Sequence, residues 1–257
     1  MRARLLTAAL ALFVAPLAAC GSTSDAPSGS SSAVTGDITV FAAASLKEAF
    51  TTIGEQFEAA NPGTSVTFSF GPSSGLATQI IEKAPADVFA SASQRTMDTV
   101  VDAGLAPGSA VFAVNSLAIA TPTDPSVPVA SLADLADPAV KVAVCAADVP
   151  CGTAADTLFS SNNLIVAPVT REVDVKAVLS KVQLGEVDAG IVYVTDVKAA
   201  GNAVVGIDIP ADQNVTTGYP IAVLSDSGNL VTAQAFAAYV VSPEAQKVLA
   251  DAGFSAP

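Results

Sequence analysis

Histidine and tryptophan are absent from this 257-residue chain. Without histidine it lacks the usual general base, the commonest metal ligand and the one side chain that titrates near neutrality unperturbed. Proton-transfer enzymes and most metal sites are thereby disfavoured. Nothing is obviously set to titrate near neutral pH. Basic residues are also scarce, 11 Lys and Arg against 24 Asp and Glu, for a formal charge of −13. That sign gives no electrostatic footprint for nucleic acid and no basic stripe for anionic lipid. The opening apolar run, Leu5 to Ala15, is too short to span a bilayer as a helix.

That run follows Arg2 and Arg4 and ends in Leu17-Ala18-Ala19-Cys20. A basic start, a short apolar stretch and small residues at its end are the layout of a cleaved secretory signal. A cysteine directly after Leu-Ala-Ala resembles the lipobox of bacterial lipoproteins. The resemblance implies a signal peptide over residues 1–19 and a lipidated Cys20 as the new N-terminus. It also implies a position on the extracytoplasmic face of the bacterial membrane, held to the bilayer through the acyl chains. Loss of the two arginines would take the formal charge from −13 to −15. Residues 20–36 continue almost entirely in Ser, Thr, Gly, Ala, Pro and Asp, which cannot bury a core. Such a tether has a reach on the order of 20 Å.

Two cysteines remain, Cys145 and Cys151. Outside the cytoplasm a neighbouring pair is read first as a disulfide, which over so short a loop contributes about 2 kcal/mol in the chain-entropy model. Two thiols alone are too few for a metal site.

From Asp37 onward short apolar runs of buried-strand length alternate with helical spacing. The chain reads as strand 38–42, helix 46–60, strand 65–70, helix 74–81, strand 87–90 and helix 94–102. Near Asn115 to Pro122 it crosses into a second series. This comprises strands 117–120, 141–145, 189–193 and 203–207, and helices 152–161, 173–184 and 195–200. A return passage over 216–224 leads to helices 229–240 and 243–250. Strands alternating with helices imply α/β architecture, mostly parallel pairing, and ligands at the carboxyl ends of strands.

Ile38-Thr-Val-Phe-Ala-Ala-Ala-Ser45-Leu resembles the opening of molybdate-binding proteins of ABC transporters. Further signatures follow in the same order: Phe70-Gly-Pro-Ser73-Ser-Gly-Leu, Ala84-Pro-Ala-Asp-Val-Phe-Ala-Ser-Ala92 and Asn115-Ser-Leu. Then come Val149-Pro-Cys151-Gly, Asp174-Val175-Lys, Gly190-Ile-Val-Tyr193 and Gly218-Tyr-Pro. The resemblance implies the two-lobed type II periplasmic-binding-protein fold, each lobe a mostly parallel sheet flanked by helices. Lobe 1 would comprise residues 37–116 plus 219–257 and lobe 2 residues 117–218, joined by two hinge crossings. It implies a monomer that captures molybdate or tungstate and delivers it to an inner-membrane ABC permease with its ATPase. No cofactor is implied, and the metal would enter only inside the oxyanion, with no direct protein ligand. Carried over residue by residue, the oxyanion donors are Ser45, Ser73, Cys151, Val175 and Tyr193. Where many relatives carry Ala, this chain has Cys151, and Pro72 also departs from a small polar residue.

The residue chemistry suits that role. Neutral donors can hold a dianion, because hydrogen bonds to an ionised acceptor are about twice as strong as neutral ones. Helix N-termini offer such donors ready-made. Ser45 and Ser73 each lie between a strand and a helix, where Ser is equally favoured as a plain helix cap. Lys47 and Lys176, in the first turns of ligand-facing helices, are either ordinary solvated lysines or aids to the capture of an anion by an acidic protein. The same fold could serve sulfate, phosphate or ferric iron, although ferric sites favour paired tyrosines. A serine hydrolase is disfavoured, since no histidine and no Ser-x-x-Lys arrangement accompanies Ser45 or Ser73.

Overall fold

The computed structural model describes residues 34–257; the leader, Cys20 and residues 20–33 of the tether lie outside the described residues. Nine strands form one sheet with helices packed on both faces. In chain order the first half contains β1 (Gly36–Ala43), α1 (Lys47–Ala60), β2 (Thr64–Gly71), α2 (Ser73–Ile81), β3 (Val88–Ala90) and α3 (Gln94–Asp102). β4 (Ala110–Thr121) leads to β5 (Val142–Cys145), α4 (Pro150–Ser161), β6 (Thr170–Glu172) and α5 (Val175–Gln183). These are followed by β7 (Ala189–Tyr193), α6 (Val194–Ala200) and β8 (Val205–Asp208). β9 (Thr216–Val223), α7 (Leu230–Val240) and α8 (Pro243–Ala252) return to the first half.

Local sequence explains the regular elements. α1 buries Ala49, Phe50, Ile53 and Phe57, a stripe at helical spacing, and stops at Asn61-Pro62-Gly63, with Gly63 at φ 92°. Phe57 meets the α7 residue Phe236 edge-on at 5.4 Å, which fixes α1 against α7. α8 begins at the Ser242 cap with Pro243 in its first turn, and ends where Gly253 adopts φ 103°.

The strand order is β2-β1-β3-β9-β4-β7-β5-β6, with β8 also on β4. β1 pairs parallel with β2 and β3, and β5 pairs parallel with β6 and β7. β9 and β4 run antiparallel to their neighbours. Wholly parallel pairing fails here because these two strands carry the chain across and back. β4 is twelve residues long rather than the short strand 117–120 expected. It pairs with β9 over Ala110–Ser116, then with β7 and β8 from Leu117 onward. The return passage is itself a strand, β9. β6 was not expected, because Thr-Arg-Glu is polar and lies at the sheet edge with its side chains at least partly exposed.

The apolar interior is divided. One buried cluster draws only on residues from Leu117 to Ile209. The other two draw on residues up to Ala113 or from Tyr219 onward. The buried apolar clusters therefore stay within their own halves, and β4 and β9 are the strands that join them. No helix among the described residues is long and apolar enough to cross a membrane.

Candidate functional site

Five strand-to-helix junctions converge on one small cavity between the halves, with a volume of about 20 Å³. Ser45, Ser73, Cys151, Val175 and Tyr193 all line it, accompanied by Ala44, Ala92 and Pro150. A void of that size admits the centre of one small group. A larger concavity, about 630 Å³, lies at the opposite end of β1 and β3 beside Thr39 and Asp87 and touches none of the five.

Ser45 sits in a 3-10 turn, Ala44–Leu46, directly after β1, and its hydroxyl is 2.8 Å from the Tyr219 phenol. Ser73 is the first residue of α2, and its Oγ accepts the Ala92 N–H at 3.0 Å. Neither caps a helix: the caps of α1 and α2 are Leu46 and Pro72, without a side-chain bond. Both hydroxyls are buried and have protons to offer. The plain-cap reading of these serines is therefore removed.

Cys151 and Val175 bring backbone groups to the cavity. Each lies in the first turn of its helix, α4 or α5, where the N–H has no intrahelical acceptor. Asp174 caps α5 by accepting the Ala177 N–H at 2.9 Å. Cys145 and Cys151 are joined by a disulfide, which ties the end of β5 to the start of α4. The chain between them is so tight that a Cβ at Gly152 would lie 1.8 Å from the Ala146 carbonyl oxygen. Only glycine fits there.

Tyr193 ends β7 and opens α6. Its ring is 1% exposed, yet its hydroxyl makes no hydrogen bond among the described residues. Burial pushes this phenol above its ordinary pKa, so it stays protonated and able to donate. A buried hydroxyl left unpaired costs roughly 1–3 kcal/mol, which an arriving acceptor would recover. No comparable unpaired group is found at Ser45 or Ser73.

An ion cluster backs the site. Lys176 donates to Glu48 at 2.8 Å and lies 3.0 Å from Asp196 Oδ1, off the line of a good hydrogen bond. Asp196 is fully buried, and its other oxygen accepts the Tyr193 N–H at 3.1 Å. Burial raises its pKa to about 6, with Lys176 pulling the other way. The Lys176 ammonium is raised: burial opposes its charge, but Asp196 and Glu48 outweigh that. This corrects two expectations. Lys176 is engaged by two carboxylates rather than free to steer an anion, whereas Lys47 is exposed. A group beside Tyr193 does titrate at the acidic end of the near-neutral range.

Comparison with known proteins places this architecture. The family model for bacterial extracellular solute-binding proteins matches residues 38–255. The chain belongs to that family. This solute-binding protein is 42% identical over 250 residues to the molybdate-binding protein ModA of Mycobacterium tuberculosis, covering 96% of this chain and 95% of the relative. It is 34% identical to ModA of Escherichia coli, covering 90% and 93%. Among solved structures, the Azotobacter vinelandii periplasmic molybdate-binding protein superposes with a TM-score of 0.76 at 20% identity, covering 86% of this chain and 99% of that one. The sulfate-binding protein SubI of M. tuberculosis gives 0.75 at 20% identity, covering 86% of each chain. At that identity the two superpositions establish the fold: α/β, of the periplasmic-binding-protein type. The relatives are solute-binding proteins of transport systems.

The sequence reading missed Asn115, Tyr219, Glu48 and Asp196. The first two stood in noted motifs, Asn115-Ser-Leu and Gly218-Tyr-Pro, with no role attached. The carboxylates carried no signal, because burial and a partner distant in sequence are what set them apart.

Proposed function

We propose that this protein captures molybdate, with tungstate as a second cargo, and hands it to an inner-membrane ABC permease with its ATPase. The hydroxyls of Ser45, Ser73 and Tyr193 and the backbone N–H groups of Cys151 and Val175 replace the hydration shell of the oxyanion. The protein acts as a monomeric receptor rather than an enzyme, tethered to the bilayer through acylated Cys20. Residues 37–116 plus 219–257 form one lobe and 117–218 the other. A ligand touching both lobes binds well only when they are closed, so it shifts the hinge equilibrium by its differential affinity. The permease reads closure as the sign that cargo is aboard.

The observation that carries this reading is the convergence of hydroxyl and amide protons on one small cavity whose described lining holds no Lys or Arg, with the buried Tyr193 hydroxyl unpaired. Amide and hydroxyl protons suit an anion, not ferric iron. The names of the relatives at 42% and 34% identity select molybdate from among the tetrahedral anions. Sulfate has the same charge and shape with shorter bonds, so cavity size must discriminate.

The test is thermal melting with molybdate, tungstate, sulfate, phosphate and ferric citrate added separately. A ligand that binds only the native state adds about 2.7 kcal/mol at 100 times its dissociation constant. Molybdate and tungstate are expected to raise the melting temperature at micromolar concentration. A shift with sulfate, phosphate or ferric citrate alone would overturn the assignment.

A further inference from the structure

Two motifs, Asn115-Ser-Leu and Gly218-Tyr-Pro, are not used by the proposed donor set. Asn115 is on β4 and Tyr219 on β9, where the two strands pair. Tyr219 is 0% exposed, enclosed by Phe254, whose ring centre is 5.2 Å away, and by Tyr193 at 6.0 Å. Its hydroxyl has two partners, Ser45 Oγ at 2.8 Å and Asn115 Nδ2 at 3.5 Å. The Asn115 amide nitrogen also donates to Thr195 Oγ1 on α6 at 2.9 Å.

Proton counting gives this chain a direction. Burial pushes the Tyr219 phenol well above its ordinary pKa, so it keeps its proton. An amide nitrogen only donates, so of these two partners Ser45 Oγ is the one that can accept that proton. Ser45 then accepts from Tyr219 and must aim its own proton elsewhere. Ser73 is fixed in the same way, because its Oγ accepts a backbone N–H that can do nothing but donate. Successive donors of one sense strengthen one another in a buried network.

We propose that Tyr219, backed by Asn115, is a positioning residue for anion capture. It holds the Ser45 hydroxyl with its proton aimed into the cavity, so no bond need be broken or turned when the anion arrives. The relay runs from Asn115 through Tyr219 to Ser45, and the same Asn115 amide, by donating to Thr195, ties it to the other half of the sheet. This rests on the proposed donor role of Ser45.

A double-mutant cycle read by titration calorimetry at pH 7.5 tests it, with molybdate and sulfate each titrated into wild type, Tyr219→Phe, Ser45→Ala and the double variant. Wild-type binding of either anion decides the functional reading by itself. The relay is judged with whichever anion the wild type binds. Tyr219→Phe is expected to weaken affinity roughly ten-fold in the wild-type background, and by less than two-fold when Ser45 is already Ala. Melting of each unliganded variant checks the fold, and Asn115→Ser is expected to lose a smaller factor through the same coupling. Equal losses from Tyr219→Phe in both backgrounds would reduce Tyr219 to a packing residue. No loss in the wild-type background would remove the relay.

Discussion

Replacing Lys176 by Met tests the electrostatics beneath the site, because it leaves the Asp196 carboxylate buried without a cation. Asp196 is wholly enclosed, with Lys176 Nζ at 3.0 Å as its counter-ion. Breaking a buried pair from one side costs about 3–5 kcal/mol, since the remaining charge is stranded. The Lys176 side chain is itself 22% exposed, so the low end, about 3 kcal/mol, is expected. For a domain of this length that is a fall of roughly 6–12 °C in melting temperature. The loss should be reversed in two independent ways. Acidification to pH 5 neutralises the stranded carboxylate, and Asp196→Asn combined with Lys176→Met removes its charge at every pH. Glu48→Gln should cost under about 1 kcal/mol, because Glu48 is half exposed. Urea melts of the wild type and the three variants at pH 5 and 8 provide the measurement. A Lys176→Met cost below 1 kcal/mol, or a double variant no more stable than Lys176→Met, would refute the reasoning.

Other outcomes follow from the same geometry. The Asp196 pKa rises from 3.8 to about 6 on folding, so between those values the folded state binds more protons than the unfolded one. Stability from this group therefore grows as pH falls, by about 1 kcal/mol from pH 7.5 to 5.5, and Asp196→Asn should lack that gain in paired melts. Tyr193→Phe should weaken molybdate binding by roughly 10- to 100-fold while leaving the unliganded protein as stable as wild type or more so, because an unpaired buried hydroxyl is removed. Gly152→Ala should disturb the start of α4, weakening both anion binding and stability, since its Cβ would overlap the Ala146 carbonyl. Lys47→Ala should slow molybdate association in stopped-flow experiments at low salt, with the difference vanishing at about 0.5 M salt, where exposed charges are screened.

Much of the architecture is legible in the sequence because its elements obey local rules. The Phe50-Ile53-Phe57 stripe, the Asn61-Pro62-Gly63 stop and the Ser242-Pro243 start each announce α1 or α8 without reference to the rest of the chain. β4 and β6 were harder for opposite reasons. β4 has two sets of partners along one strand, and its length follows from joining the halves, not from its own pattern. β6 has three polar residues at an edge, where neither alternation nor burial marks a strand. Around the cavity, Ser45, Ser73 and Tyr193 lie at strand ends, so their convergence was foreseeable from topology. Ser45 and Ser73 could equally have been caps, and only the fold, with Leu46 and Pro72 at those positions, separates the two readings. Tyr219 and Asp196 owe their character to burial against residues 174 and 20 positions away in the chain. No local window contains that information.

Crystals grown with tungstate and measured at the tungsten absorption edge test the central claim most directly. The account predicts one strong anomalous peak between the two halves, with tungstate oxygens within hydrogen-bond distance of the Ser45, Ser73 and Tyr193 hydroxyls and of the Cys151 and Val175 N–H groups, and with no protein atom bonded to the metal. A peak elsewhere, such as in the larger concavity beside Thr39 and Asp87, or a protein atom directly coordinating tungsten, would contradict it.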